Sequence, residues 1–264
     1  GTVTNNGTLT MDPAAGEQSN FTLSNDSTGT TGVTGTSNAV LGGTIDTTST
    51  QTTFGTGQIV NVVDDLVIDG AIVTIKGVLN NDEGFSIEII NGGQLVITGA
   101  LATFTNNGTL APGNSIGTIY IQGDYVEGTD GRLALEFDGS GNTDRIVIEG
   151  TASKVDGKEA LFTADIAPTE SYFGTSVTVD FSQAVSTVQK NDDGTVSTTH
   201  ESISIAKPGE SQALQVASPT LSMNATYDAD SQKLTVVTSR ESDAYSRFAH
   251  TDEARKVAAA FDRH

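Results

Sequence analysis

From Gly1 to about Gly123 the chain alternates short apolar runs with turns rich in Gly, Asn and Asp, as in "GTLTM", "AVLGGTI", "LVIDGAIVTI", "FSIEII", "GQLVITG" and "GTIYIQG". Within a run the alternation has period two. Val73 and Ile75 fall on one side, and Ile72, Thr74 and Lys76 on the other, which is the signature of a half-buried strand. Runs recur at close to ten residues, so coils of about twenty residues fit better than any helical period. One coil cannot bury its apolar face alone, and stacking neighbours about 4.8 Å apart builds a continuous core. The pattern therefore predicts stacked parallel coils over this stretch, with Leu9, Val60, Ile68, Ile75, Ile89, Val96 and Leu110 facing inward. Residues 24–56 carry the weakest pattern and read as a loop or a poorly ordered coil.

The pentapeptide "NNGTL" occurs at Asn5–Leu9 and again at Asn106–Leu110, 101 residues apart. Asn-Asn-Gly suits a corner that uses left-handed φ, and Thr-Leu restarts a strand with Leu inward. The separation corresponds to about five coils of this length. Only the second copy runs into Pro-Gly-Asn-Ser. Pro112 fixes φ and Gly113 relaxes the next position, giving a stiff corner. Beyond it the strands lengthen ("GRLALEF", "DRIVIEG"), and Tyr125, Phe137 and Phe162 supply bulk. An open solenoid end exposes unpaired backbone groups, so a closing unit is expected there. The segment 154–215 is long and irregular. In the tail, Ala244, Phe248, Val257 and Phe261 share one helical face, and a cap at Thr251 or Asp252 divides it into two short helices.

Composition narrows the function. Against 33 Asp and Glu stand 13 Lys and Arg, a net charge of −20, which repels phosphate backbones and excludes nucleic acid as a partner. Cysteine is absent, as happens by chance in a cytosolic protein and as suits a chain that stays unfolded while crossing an oxidising compartment. No apolar run reaches membrane-spanning length. Beginning in mid-repeat, the chain reads as a piece of something longer.

Candidate chemistry is sparse. Ser140 in "FDGSGNTD" superficially matches a nucleophile elbow, but its setting is a hairpin turn between strands, and His200 (in a polar loop), His250 and His264 are the chain's only histidines. The acidic pairs Asp64/Asp65, Asp82/Glu83, Asp192/Asp193 and Asp228/Asp230 lack the offsets of a calcium loop and read as solvated turns. With no Trp and 6% aromatics there is little for a sugar platform. No zinc ligand set or phosphate-cradling loop is present. The triplets at Asn6, Asn20, Asn25, Asn107 and Asn224 read as corners rather than glycosylation sites. These readings give no enzyme, no metal and no cofactor.

Residues Ala111–Ala152 resemble the end of autotransporter (type V secretion) passenger domains of the pertactin-like β-helix kind. The motifs are Pro112, Gly113, Asn114, Ser115, Ile116 and Gly117; then Gly123, Asp124 and Tyr125; then Asp144, Arg145, Ile146, Val147 and Ile148, leading to Gly150, Thr151 and Ala152. Ser218–Val237 resembles the last hairpin of that family's autochaperone, and Ala244–His264 the helical segment before its membrane barrel. The resemblance implies an all-β, right-handed parallel β-solenoid (β-helix) at 1–111, an autochaperone β cap at 112–240 and a helical linker at 241–264. It further implies the C-terminal part of a passenger secreted across the outer membrane to the bacterial cell surface. The expected partners are its own C-terminal β-barrel and either host surface or matrix components or other passengers, with no small-molecule cofactor. The alternative is a spacer beneath an upstream protease or esterase domain.

Overall fold

The computed structural model describes residues 2–5, 8–11, 19–20, 22–25, 30–33, 39–46, 51–54, 59–99, 102–113, 115–157, 160–169, 176–205, 212–214, 221–240, 243 and 245–262. Side chains are described for 41–45, 54 and, apart from 212–214 and 221, the residues from 59 onward. The architecture is a parallel β-solenoid with three strand ladders and one short C-terminal α-helix.

The first ladder stacks Val78–Asn81, Thr103–Asn106, Asp124–Glu127 and Ala152–Lys154 on the first half of Ile59–Asp69. The second stacks Ser86–Ile90, Thr109–Ala111, Arg132–Phe137, Phe162–Pro168 and Ile203–Ile205 on its second half. A third ladder holds Thr8–Met11, Thr30–Val33, Gln51–Phe54, Ile72–Ile75 and Gln94–Ile97. A separate sheet holds Thr118–Ile121, Arg145–Ile148 and Val185–Lys190. All these pairings are parallel.

Coil length grows toward the C-terminus. Val78 sits over Ile59, an offset of 19 residues, and Gln94 over Ile72, an offset of 22. Arg145 is 27 residues from Thr118, and Val185 is 39 from Ile146. The longer coils carry antiparallel additions. Val196–His200 folds back on Val185–Lys190 as a hairpin. A four-stranded antiparallel sheet follows in the order Val177–Asp180, Lys233–Arg240, Leu221–Asp228, Gln212–Leu214. Parallel coils run to Ile205, and antiparallel structure closes the end.

The core follows the alternation read from the sequence. Val60, Ile68, Ile75 and Leu110 are fully buried, and Ile89 nearly so. Val96 is the exception. Strand Gln94–Ile97 buries Leu95 and Ile97, so Val96 lies on the outer face. In a continuous Leu-Val-Ile run hydrophobicity does not set parity. Pairing does, by placing Leu95 beside buried Val73 and Ile97 beside Ile75. The Leu9 side chain lies outside those described. Residues 24–56, read as a loop or a poorly ordered coil, contribute strands Thr30–Val33, Ala39–Asp46 and Gln51–Phe54.

Phe104 meets Tyr125 edge-on, and Tyr125 lies tilted against Phe162, with ring centroids 5.4 and 5.5 Å apart. Phe137 meets Phe181 edge-on at 6.4 Å, joining the coil to the start of the antiparallel unit. The tail forms a 3-10 turn at Ser246–Phe248 and helix Asp252–Phe261, whose first turn is capped by Thr251 Oγ1 accepting from Ala254 N at 3.1 Å. Ala244 lies outside the described residues. Among the described residues, no helix is long and apolar enough to cross a membrane.

Asn6 and Gly7 of the first "NNGTL" copy lie outside the described residues; the strand after it, Thr8–Met11, belongs to the third ladder, whereas Thr109–Ala111 after the second copy belongs to the second. Left-handed φ is not the reason for the second copy. The only non-glycine residues with positive φ among those described are Asn91 and Gln232. Gly108 is needed for space, because a Cβ there would lie 2.2 Å from the Phe85 carbonyl oxygen.

Candidate functional site

The motif residues converge as clamps between coils. Asp144 is fully buried beside strand Arg145–Ile148. Its Oδ1 accepts from Gly117 N at 2.8 Å and its Oδ2 from Glu136 N at 2.7 Å. Arg145 N in turn donates to Gly117 O at 3.0 Å. The Pro-Gly-Asn-Ser-Ile-Gly corner and the Asp-Arg strand are therefore one unit, although 27 residues separate Gly117 from Asp144. Burial pushes the Asp144 carboxyl up to about 6; the two N–H donors oppose that shift, and nearby Glu136 adds to it. Glu136 is itself raised, by burial and then by the charge of Glu88.

A second clamp joins Gly-Asp-Tyr to Gly-Thr-Ala. Asp124 Oδ1 accepts from Thr151 N at 2.9 Å and Thr151 Oγ1 at 2.7 Å, and Tyr125 N donates to Thr151 O at 2.8 Å. The hydrogen bonds from Thr151, the backbone N–H first, hold Asp124 below the usual carboxylate range. Ile146 is buried, whereas Val147 lies partly exposed on the outer face and Arg145 is exposed, its Nη2 3.4 Å from Gln183 Oε1. Ser115 is exposed, and Asn114 lies outside the described residues.

The corner itself is sterically tight. Pro112 is buried and ends strand Thr109–Ala111. Gly113 has φ 145°, and a Cβ on it would approach Ile89 O to 2.8 Å. One on Gly117 would lie 2.3 Å from Pro112 O.

Behind these clamps runs a buried polar ladder that sequence reading missed. Asn81, Asn106 and Glu127 are successive register partners with no exposed surface. Asn81 Nδ2 donates to Asn106 Oδ1 at 2.9 Å and to Thr109 O at 3.1 Å. Asn106 Nδ2 reaches Arg132 O at 3.3 Å and Glu127 Oε2 at 3.4 Å, and the Tyr125 hydroxyl also donates to that oxygen. Burial, followed by the Glu127 charge, pushes the Tyr125 hydroxyl well above its ordinary range. The ladder gives these buried side chains partners within the core, among them the carbonyls of Thr109 and Arg132 at the start of two second-ladder strands. The available signal was an Asn ending successive first-ladder strands, visible only once coil length is known.

Other candidates resolve into turns and pairs. Ser140 is an exposed turn residue whose N–H donates to Asp138 Oδ1 at 2.9 Å. The strands on either side of this turn pair with different parallel sheets, so it is a solenoid corner closed by one bridge, Phe137 to Thr143. His200 lies on strand Val196–His200 rather than in a loop. Its Nδ1 is 3.0 Å from Ser186 Oγ, a cross-strand pair in direct register. Asp65 accepts from Ser86 N and Oγ at 2.9 Å, Asp193 from Thr195, and Asp228 from Asp230 and Ser231. Among the described residues no group of three or more His, Cys, Asp or Glu is placed to hold a metal.

The far end of the solenoid is closed by side chains. Ile203 N donates to Gln232 Oε1 at 3.0 Å and Ile203 O accepts from Tyr227 OH at 3.3 Å, so the antiparallel sheet covers the last parallel strand. No protein-family model and no curated protein matches this chain.

Proposed function

We propose that this chain is the C-terminal part of a secreted bacterial surface passenger of the autotransporter kind, a non-catalytic β-solenoid stalk whose C-terminal unit, 112–240, supports export and folding. The observation that carries the reading is the pairing of its motifs. Gly117 with Asp144, and Asp124 with Thr151, lock each coil to the next at the places where the sequence resembles that family. Inter-coil clamps over an aromatic cluster, closed by a side-chain-capped end, are what a folding seed needs. They gather long-range contacts into one stable block and cover the last parallel strand. Outside the cell no nucleotide is available to drive export, so folding from a stable C-terminal block supplies the directional bias. The long acidic stalk then presents a surface for adhesion to host or matrix components, or to other passengers.

The test is surface display. The chain is fused to an outer-membrane translocation barrel, and display is read by antibody binding and external protease on intact cells. Deleting 112–240 is expected to abolish display, and Asp144→Ala to reduce it several-fold. Normal display after the deletion contradicts the reading.

A further inference from the structure

The third side of the solenoid is interrupted. Gln94–Ile97 ends one sheet and Thr118–Ile121 begins another, although their Cα atoms approach within 8 Å. The other two ladders run through the same level unbroken, from Val78–Asn81 to Thr103–Asn106 and Asp124–Glu127, and from Ser86–Ile90 to Thr109–Ala111 and Arg132–Phe137.

The orientation of the backbone groups shows what is missing. Gln94 N donates to Ala71 O and Thr98 N to Ile75 O, so the even-numbered residues of Gln94–Ile97 face the preceding coil. A parallel strand points the N–H and C=O of one residue the same way, which leaves Leu95 and Ile97 facing Thr118–Ile121. On that strand Gly117 O accepts from Arg145 N and Ile121 O from Glu149 N, so odd residues face the following coil and Thr118 and Tyr120 face back. Two complementary rows of backbone groups oppose each other without a ladder.

The cause lies in the corner. The preceding coils turn from the second ladder to the third through Gly70–Ala71 and Asn91–Gly93, whereas here the turn is the six residues Pro112–Gly117. Asp144 and Arg145 bind Gly117 to the following coil. A cleft of about 220 Å³ lies between Ile89–Gly93 on one side and Pro112, Gly113 and Ser115–Thr118 on the other.

We propose that this interruption is a hinge in the stalk: the coils before and after it pivot about the two continuous ladders, opening and closing the seam between Leu95/Ile97 and Thr118/Tyr120. A seam with no ladder bonds opens without breaking any, whereas every neighbouring seam must break a row of them.

Hydrogen exchange on the unmodified full chain reads the seam directly. The amides of Leu95, Ile97, Thr118 and Tyr120 are expected to exchange roughly tenfold or more faster than those of Val73 and Ile75, which occupy the same parity one coil earlier. Because the chain has no cysteine, paired spin labels at Val96→Cys and Tyr120→Cys report the same seam from the outer face. Their distance distribution is expected to be broader than that of Thr74→Cys with Val96→Cys, which are direct partners in an intact ladder. Equal protection across both seams overturns the hinge. So does fast exchange with an equally narrow distance, which describes a fixed gap. Should that pair of labels prevent folding, Gln94→Cys with Thr118→Cys reads the same seam, against Ile72→Cys with Gln94→Cys in the intact ladder.

Discussion

Gly117 and Asp144 meet in a 2.8 Å hydrogen bond across 27 residues of sequence, and the same carboxylate holds Glu136 N at 2.7 Å. One buried side chain thus fixes a corner, the strand Arg132–Phe137 and the strand that follows it. Asp144→Ala leaves two N–H groups without their acceptor and is expected to cost about 2–4 kcal/mol. Asp144→Asn keeps one good acceptor and costs roughly half as much. Urea unfolding of the three chains measures both, and an unchanged midpoint for Asp144→Ala contradicts the clamp.

The same residue predicts an unusual pH dependence. Its carboxyl is raised from 3.8 to about 6, so the folded state binds the proton more tightly than the unfolded one. Its contribution is therefore fully present below about pH 4 and is lost as pH rises through 6. Asp124 acts with the opposite sign: its lowered value gives stability above 3.8 that is lost in acid. Subtracting the stability–pH curve of Asp144→Asn from that of the native chain is expected to leave a component that falls between pH 4 and 7. A flat difference counts against this assignment.

Gly117→Ala places a methyl where only 2.3 Å separates it from Pro112 O, so backbone must move. Gly84→Ala meets nothing within 4 Å and carries only the strain of φ 86°. Thermal unfolding is expected to show the larger loss at Gly117, on the order of 2–4 kcal/mol against about 1. A reversed order contradicts the account of the corner.

At the closed end, Tyr227→Phe removes the donor to Ile203 O, and Gln232→Ala the acceptor for Ile203 N. Each is expected to destabilise by about 1–2 kcal/mol, and together they uncover the last strand. Sedimentation velocity is expected to show the double variant self-associating more than the native chain; a monodisperse double variant at equal concentration contradicts the capping role.

Fold class was legible because period-two runs and glycine-rich corners recur along the chain. Parity was less so: Val96 was expected inside, and only its ladder partners Val73 and Ile75 place Leu95 and Ile97 there instead. The repeated "NNGTL" suggested one recurring corner, yet the strands after the two copies belong to different ladders. Asn106 read as a turn residue because Asn favours turns; its burial in a ladder with Asn81 and Glu127 depends on register that no local pattern contains. The motif residues were found by resemblance, but the Asp144 clamp on Gly117 was not, since a contact across a whole coil leaves no local signature. Phe248, Val257 and Phe261 of the tail were expected, with Ala244, on one helical face; Phe248 sits in the 3-10 turn and Val257 and Phe261 on the helix, all three exposed, and Ala244 lies outside the described residues.

The central claim is that residues 112–240 form the stable block on which the preceding coils assemble. Pulse proteolysis in increasing urea, with fragments 1–111 and 112–240 compared with the full chain, tests it most directly. The expected result is a cooperative, protease-resistant 112–240, a 1–111 digested without urea, and loss of resistance in 112–240 on Leu135→Asp or Ile146→Asp, each of which buries an unpaired charge. A 1–111 fragment as resistant as the full chain contradicts it.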